Sequence, residues 1–248
     1  SFLVDFDEVG FRNSVVNFLD KDSQFNHFIP FEIFNEDSKY LIDKLRHILI
    51  DTNELNYPFS EYLVSLQRGL RYVCSQNYKL LNSIKNDIFN GCDIAFVGAG
   101  PSLDKLKQVL CDASEKCHIV ATSASLRKLE EYSIVPDFII LLDGTKQPIL
   151  NQFDVDQKYY KTSVVFASIH IDEDVLSLFD KKNVFLFQDS LELFDGFGVN
   201  LGVNVGDVGI GLILKLGCKS LHLIGIDACL SKSGQTHMAA HDLNEKID

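Results

Sequence analysis

The chain has 248 residues, 46% of them hydrophobic and 23% charged, which is ordinary globular usage and enough apolar content for one large domain or two modest ones. Its formal net charge of −12 argues against a broad nucleic-acid interface and against docking on an anionic membrane, since both rest on basic surface. An anionic small molecule stays open as a ligand, because backbone amides hold phosphate without net positive charge.

The cysteines Cys74, Cys92, Cys111, Cys117, Cys218 and Cys229 form no Cys-x-x-Cys pair, and several lie in apolar runs. That pattern predicts buried free thiols in a reducing cytoplasm rather than disulfides or a zinc site. No apolar run approaches the roughly 20 residues that span a bilayer, and no signal peptide is visible. The chain begins at Ser1 and stops abruptly after Glu245-Lys246-Ile247-Asp248, which predicts a piece of a longer protein, truncated at its C-terminus.

Residues 1–90 are poor in Gly and show no strand–loop–helix alternation; they are expected to be a largely helical part of a larger N-terminal domain. Residues 2–6 and 28–34 suit short strands, and residues 38–51 carry Tyr40, Leu41, Leu45, Ile48 and Leu49 at helical spacing. A second helix is expected after Pro58, capped by Ser60 and running to about Phe89, with Gly91 ending it. From residue 91 to 248 the texture changes. Apolar runs at 94–97, 118–121, 138–142, 163–168, 183–187 and 220–224 alternate with helical segments near 103–112, 124–132, 172–180 and 206–216. Apolar strands separated by helices predict an α/β, Rossmann-like, mostly parallel sheet with helices on both faces. Ligands on such sheets bind just past the carboxyl ends of the strands.

The first of these strands ends in Gly98-Ala99-Gly100-Pro101-Ser102-Leu103. Two glycines permit a tight turn and close approach to a ligand, Pro101 and Ser102 suit the first turn of a helix, and the free amides there form an anion site. The alternative is a ligand-free strand–helix turn. A dinucleotide fingerprint wants Gly where Leu103 stands and an acidic residue after the second strand, where Ala121-Thr122-Ser123 stands, so NAD and FAD are disfavoured. No Walker Gly-Lys-Ser or Gly-Lys-Thr occurs.

The second strand's end offers hydroxyls, with Ser123 either a nucleotide contact or a helix cap. The third ends Asp143-Gly144-Thr145, either a ligand contact or a capped turn. Residues 202–207 are small and precede a helix. The last strand leads into Gly225, Ile226 and Asp227, and a polar loop then carries His237 and His241, either of which suits a general base. Their i, i+4 spacing lacks the Glu of the zinc-protease motif and an evident third ligand, so no metal site is expected. Asp154-Val155-Asp156 reads as a solvated loop, and Asp172-Glu173-Asp174 as the acidic first turn of a helix.

Taken together, GAGPSLDKL, the Pro136-Asp137-Phe138 strand entry with Asp143 at its end, and the Leu216-Gly217-Cys218, Gly225-Ile226-Asp227, His237 succession resemble the motility-associated factor (Maf) glycosyltransferases over about residues 90–245. The resemblance implies transfer of a nonulosonic acid, pseudaminic or legionaminic, from a CMP-activated donor to Ser or Thr of flagellin in the bacterial cytoplasm. The central domain is similar to bacterial sialyltransferases that need no metal, so no cofactor beyond the donor is implied. It places the phosphate at Gly98, Gly100, Pro101 and Ser102, the nucleotide beside Ser123, and the base at His237 with His241 as rival; Ala99, Asp143, Gly144, Gly225 and Asp227 are nucleotide-binding candidates by their places at the strand ends. Ser123 stands where the related sialyltransferases have Asn. Inverting transfer is implied as well. The archaeal hydroxymethylpterin diphosphokinases resemble the same domain; that reaction would use ATP and Mg²⁺ with Asp143 and Asp227 as metal candidates. A nucleotide-sensing or flagellin-binding module without catalysis is the third alternative.

Overall fold

The computed structural model describes residues 10, 59–81, 88–189, 192–195, 198–200, 202, 204–227 and 237–238. The chain divides into two compact units, Ser1–Pro58 and Phe59–Asp248. The expected strands at 2–6 and 28–34, the helix at 38–51 and His241 lie outside the described residues. The sheet and the helices that pack on it belong to the second unit.

Helix α1 spans Phe59–Ser75, so Ser60 lies inside it rather than capping it. It stops well short of Phe89. Gln76 takes a left-handed φ of 53° while its amide closes on the Tyr72 carbonyl at 3.2 Å. The chain then extends into strand β1, Lys79–Leu80. The apolar spacing misled because Tyr78 still meets Tyr72, edge to face at 5.4 Å; the break keeps the contact and changes the backbone.

The remaining strands are β2 (Asp93–Val97), β3 (His118–Thr122), β4 (Phe138–Leu141), β5 (Val164–Ser168), β6 (Val184–Phe187) and β7 (Ser220–Ile224). They form one seven-stranded sheet in the order β1-β6-β5-β4-β3-β2-β7, and every strand pair is parallel. The helices are α2 (Lys107–Ser114), α3 (Leu126–Tyr132), α4 (Lys146–Gln152), α5 (Glu173–Leu176) and α6 (Val205–Lys215). The fold is the expected α/β, Rossmann-like one. α4 was not anticipated, since its sequence KQPILNQ offers little apolar periodicity. α5 is shorter than expected, ending at Leu176.

Topology explains the layers. From β2 to β6 the chain steps across the sheet in one direction, and right-handed crossovers put the connecting helices on one face. Leu110, Leu126, Leu129, Ile149 and Val175 accordingly share a core with Ala95, Ile119, Ile139 and Val165. The step from β6 to β7 runs the other way, so α6 covers the opposite face, where Val208, Leu212 and Ile213 pack with Phe96, Val120, Ile140 and Phe166. The strand order reverses about β2, and that is where such sheets open a crevice for ligands. Among the described residues no helix is long and apolar enough to cross a membrane. Cys74, Cys92, Cys111, Cys117 and Cys218 are free thiols, but Cys74 is exposed and the other four are only half-buried, where the sequence predicted burial.

Candidate functional site at the strand ends

The loops leaving β2 and β7 are zipped together. The Gly98 amide donates to the Ile224 carbonyl at 2.9 Å and the Gly100 amide to the Gly225 carbonyl at 2.7 Å. A Cβ at Gly98 would lie 2.5 Å from Ile226 Cδ1 and 2.7 Å from the Gly225 oxygen. One at Gly100 would lie 2.7 Å from the Asp227 carboxylate. Gly225 itself has a φ of +65°. These glycines are therefore required by the contact between two protein segments, where the sequence suggested approach to a ligand.

Pro101 opens a 3₁₀ turn, Pro101–Lys105, as its fixed φ favours. Ser102 follows, and Asp227 holds it: the amide donates to one carboxylate oxygen at 2.6 Å and the hydroxyl to the other at 2.5 Å. A carboxylate of the protein thus stands where the sequence placed a phosphate. The Leu103 amide closes on the Gly100 carbonyl, and the fully buried Leu103 side chain fills the place of a third glycine.

At the end of β3, Ser123 is buried and begins a short 3₁₀ turn, Ser123–Ser125. It does not cap α3; Ser125 occupies that cap position, without a capping hydrogen bond from its side chain. The Ser125 hydroxyl instead donates to the Thr122 carbonyl at 2.8 Å and the Val97 carbonyl at 3.3 Å, stitching β3 to β2. At the end of β4, Asp143 accepts the Thr145 amide at 2.8 Å, an Asx turn that leads into α4. Gly144 passes so close to the next strand end that a Cβ would sit 2.9 Å from the His170 oxygen.

The ends of β5 and β6 hold a polar cluster that sequence reasoning missed. The Ser168 hydroxyl donates to Asp189 Oδ1 at 3.0 Å, and His170 Nε2 lies 3.3 Å from the same oxygen. Burial pushes the Asp189 carboxyl up from its ordinary range, against the opposing pull of His170 and the Ser168 hydrogen bond. Arg68 of α1 clamps the neighbouring turns, donating to the Gly144 and His170 carbonyls at 3.2 and 2.5 Å and pairing with Asp172 at 2.9 Å. The only sequence signal for Ser168, His170 and Asp189 was position: each falls within two residues of a strand's end.

His237 is brought to the end of β2 by its neighbour. The Met238 amide donates to the Ala99 carbonyl at 2.8 Å, and the Met238 side chain is fully buried in the core beneath. His237 therefore sits beside the glycine turn. Asp156, expected in a solvated loop, caps a 3₁₀ turn by accepting from the Lys158 amide; Asp172 caps α5, and Glu173 and Asp174 supply its acidic first turn. Among the described residues no three His, Cys, Asp or Glu side chains group as metal ligands.

Comparison with known proteins adds two findings. The family model described as 6-hydroxymethylpterin diphosphokinase MptE-like matches residues 70–233. The fold is similar to that of the MAf glycosyltransferase from Magnetospirillum magneticum AMB-1, with a TM-score of 0.64 and 18% sequence identity, covering 98% of this chain and 39% of that one. The chain thus spans about two fifths of that neighbour's length. No curated protein matches the sequence.

Proposed function

We propose that this chain, which belongs to the 6-hydroxymethylpterin diphosphokinase MptE-like family, is the donor-binding domain of a glycosyltransferase. It moves a nonulosonic acid, pseudaminic or legionaminic, from a CMP-activated donor to Ser or Thr of flagellin in the cytoplasm. The observation that carries this reading is the Met238–Ala99 hydrogen bond, which ties the backbone next to His237 to the glycine turn at the reversal of strand order. The likeness in fold to a Maf glycosyltransferase over nearly the whole chain supports the reaction class.

In this reading His237 removes the proton from the acceptor hydroxyl. That oxygen attacks the anomeric carbon from the face opposite the leaving CMP, inverting it. The Gly98, Gly100, Ser102 and Leu103 amides already donate within the protein. The Ala99 amide is the donor of the turn that meets the leaving phosphate, and its dipole stabilises the charge developing there. Asp227 and Gly225 brace the turn rather than touch the nucleotide.

A second reading, pyrophosphoryl transfer from ATP with Mg²⁺, draws on the family's own description. Its metal candidates Asp143 and Asp227 are occupied by the Thr145 amide and by Ser102. Calorimetric titration with CMP, CDP and ATP–Mg²⁺ separates the two. Binding of ATP–Mg²⁺ with no response to either cytidine nucleotide rejects the glycosyltransferase. His237→Ala is expected to cut flagellin glycosylation by roughly 10²–10⁴-fold with folding intact; flagellin binding that survives together with undiminished glycosylation in cells would instead mark a non-catalytic module.

A further inference from the structure

Thr122 closes β3 and is only 2% exposed. Among the described residues its Oγ1 has no hydrogen-bond partner. Its carbonyl is used by Ser125, but its hydroxyl is left over. A buried polar group without a partner carries a desolvation cost, and native structures rarely keep one without reason. Valine has the same shape and would avoid the cost.

Its place suggests the reason. The register pairs Val97 of β2 with Ala121, so the next residue, Thr122, stands level with Gly98. Val120, two residues earlier, packs in the core on the α6 face, and strand alternation puts Thr122 on that face too. In doubly wound nucleotide-binding sheets, the strand after the glycine turn ends where the ribose hydroxyls lie. An acidic side chain there only accepts hydrogen bonds, whereas a threonine hydroxyl both donates and accepts, as a ribose hydroxyl does. We propose that Thr122 is the ribose-reading residue of the site, pairing its buried hydroxyl with a 2′- or 3′-hydroxyl of the bound nucleotide. This rests on the nucleotide-binding reading above, and it moves the nucleotide contact at the end of β3 from Ser123 to its neighbour. A hydroxyl held out of bulk water discriminates sharply, because a ligand lacking the matching group leaves it unpaired.

The test is calorimetric. Wild type, Thr122→Val and Thr122→Ser are titrated with CMP and with its 2′-deoxy and 3′-deoxy analogues, and in parallel with AMP and its deoxy analogues. Wild type should favour the ribonucleotide over one deoxy analogue by on the order of tenfold. Thr122→Val should bind both alike, at the weaker level, with a thermal midpoint equal to or above that of wild type. Thr122→Ser, which keeps the hydroxyl, should retain discrimination. Equal binding of ribo and deoxy forms by wild type, or discrimination that survives in Thr122→Val, overturns the inference while leaving the nucleotide site standing. Discrimination confined to adenine nucleotides supports the role of Thr122 and rejects the CMP donor. Failure of wild type to bind any of these nucleotides overturns both.

Discussion

Asp227 grips Ser102 by both of its donors, the amide at 2.6 Å and the hydroxyl at 2.5 Å. The two residues are 125 positions apart, so this contact fixes the exit of β7 against the exit of β2. Asp227→Ala should lower the unfolding free energy by about 1–2 kcal/mol, the range for a hydrogen bond to a charged group that is partly solvated. Ser102→Ala should cost less, since its amide remains. Urea unfolding of both single variants and the double variant checks the pairing. Strict additivity would mean that the bond from the Ser102 hydroxyl to the carboxylate contributes nothing of its own. Nucleotide affinity should fall with Asp227→Ala, because the turn loses its brace. If affinity rises instead, the carboxylate competes with a phosphate for Ser102.

Much of the sheet was legible because parallel strands buried on both faces read as short apolar runs. β2 to β7 each fell within a residue or so of the expected place. β1 was illegible for a physical reason: two residues of edge strand carry no periodicity, and Tyr78 and Leu81 continue the helical spacing of α1. The glycine turn was legible as a turn but not as a junction, since nothing local says that Gly225, Ile226 and Asp227 pack onto it. Ser168, His170 and Asp189 escaped notice because they come from two strand ends and meet only in three dimensions.

That cluster makes a pH prediction. Burial raises the Asp189 carboxyl above its ordinary value, so the folded protein holds this proton more tightly than the unfolded chain does. The stabilisation this gives is complete below the unfolded value, about pH 4, and is lost as pH rises through the folded value. Wild type should therefore lose stability relative to Asp189→Asn as the pH climbs from about 4 toward neutrality. His170, at 3.3 Å, is the other titratable group of the cluster. Repeating the comparison in a His170→Gln background keeps its titration out of the difference. Denaturation curves that stay parallel across this range would show that Asp189 ionises in the folded protein as freely as in the unfolded chain.

Two glycines of α6 predict opposite outcomes for one chemical change. Both lie within a helix, where Ala is favoured over Gly by about 0.5–1 kcal/mol. At Gly211 an added Cβ meets nothing within 4 Å, so Gly211→Ala should stabilise by about that amount. At Gly209 the same Cβ would run into Cζ of Phe96 and lie 2.8 Å from its Cε1; the ring is fully buried on β2. A rigid ring in a close-packed core cannot give way so far, so α6 must lift or the ring must leave its rotamer. Gly209→Ala should cost about 1–3 kcal/mol on balance. Because Phe96 stands one residue before Val97, where β2 enters the glycine turn, the displacement should also weaken nucleotide binding. Gly211→Ala should leave that binding unchanged. Thermal denaturation and calorimetry on the two variants settle both points. A stabilised Gly209→Ala would mean that α6 does not press on β2 as closely as its glycine implies.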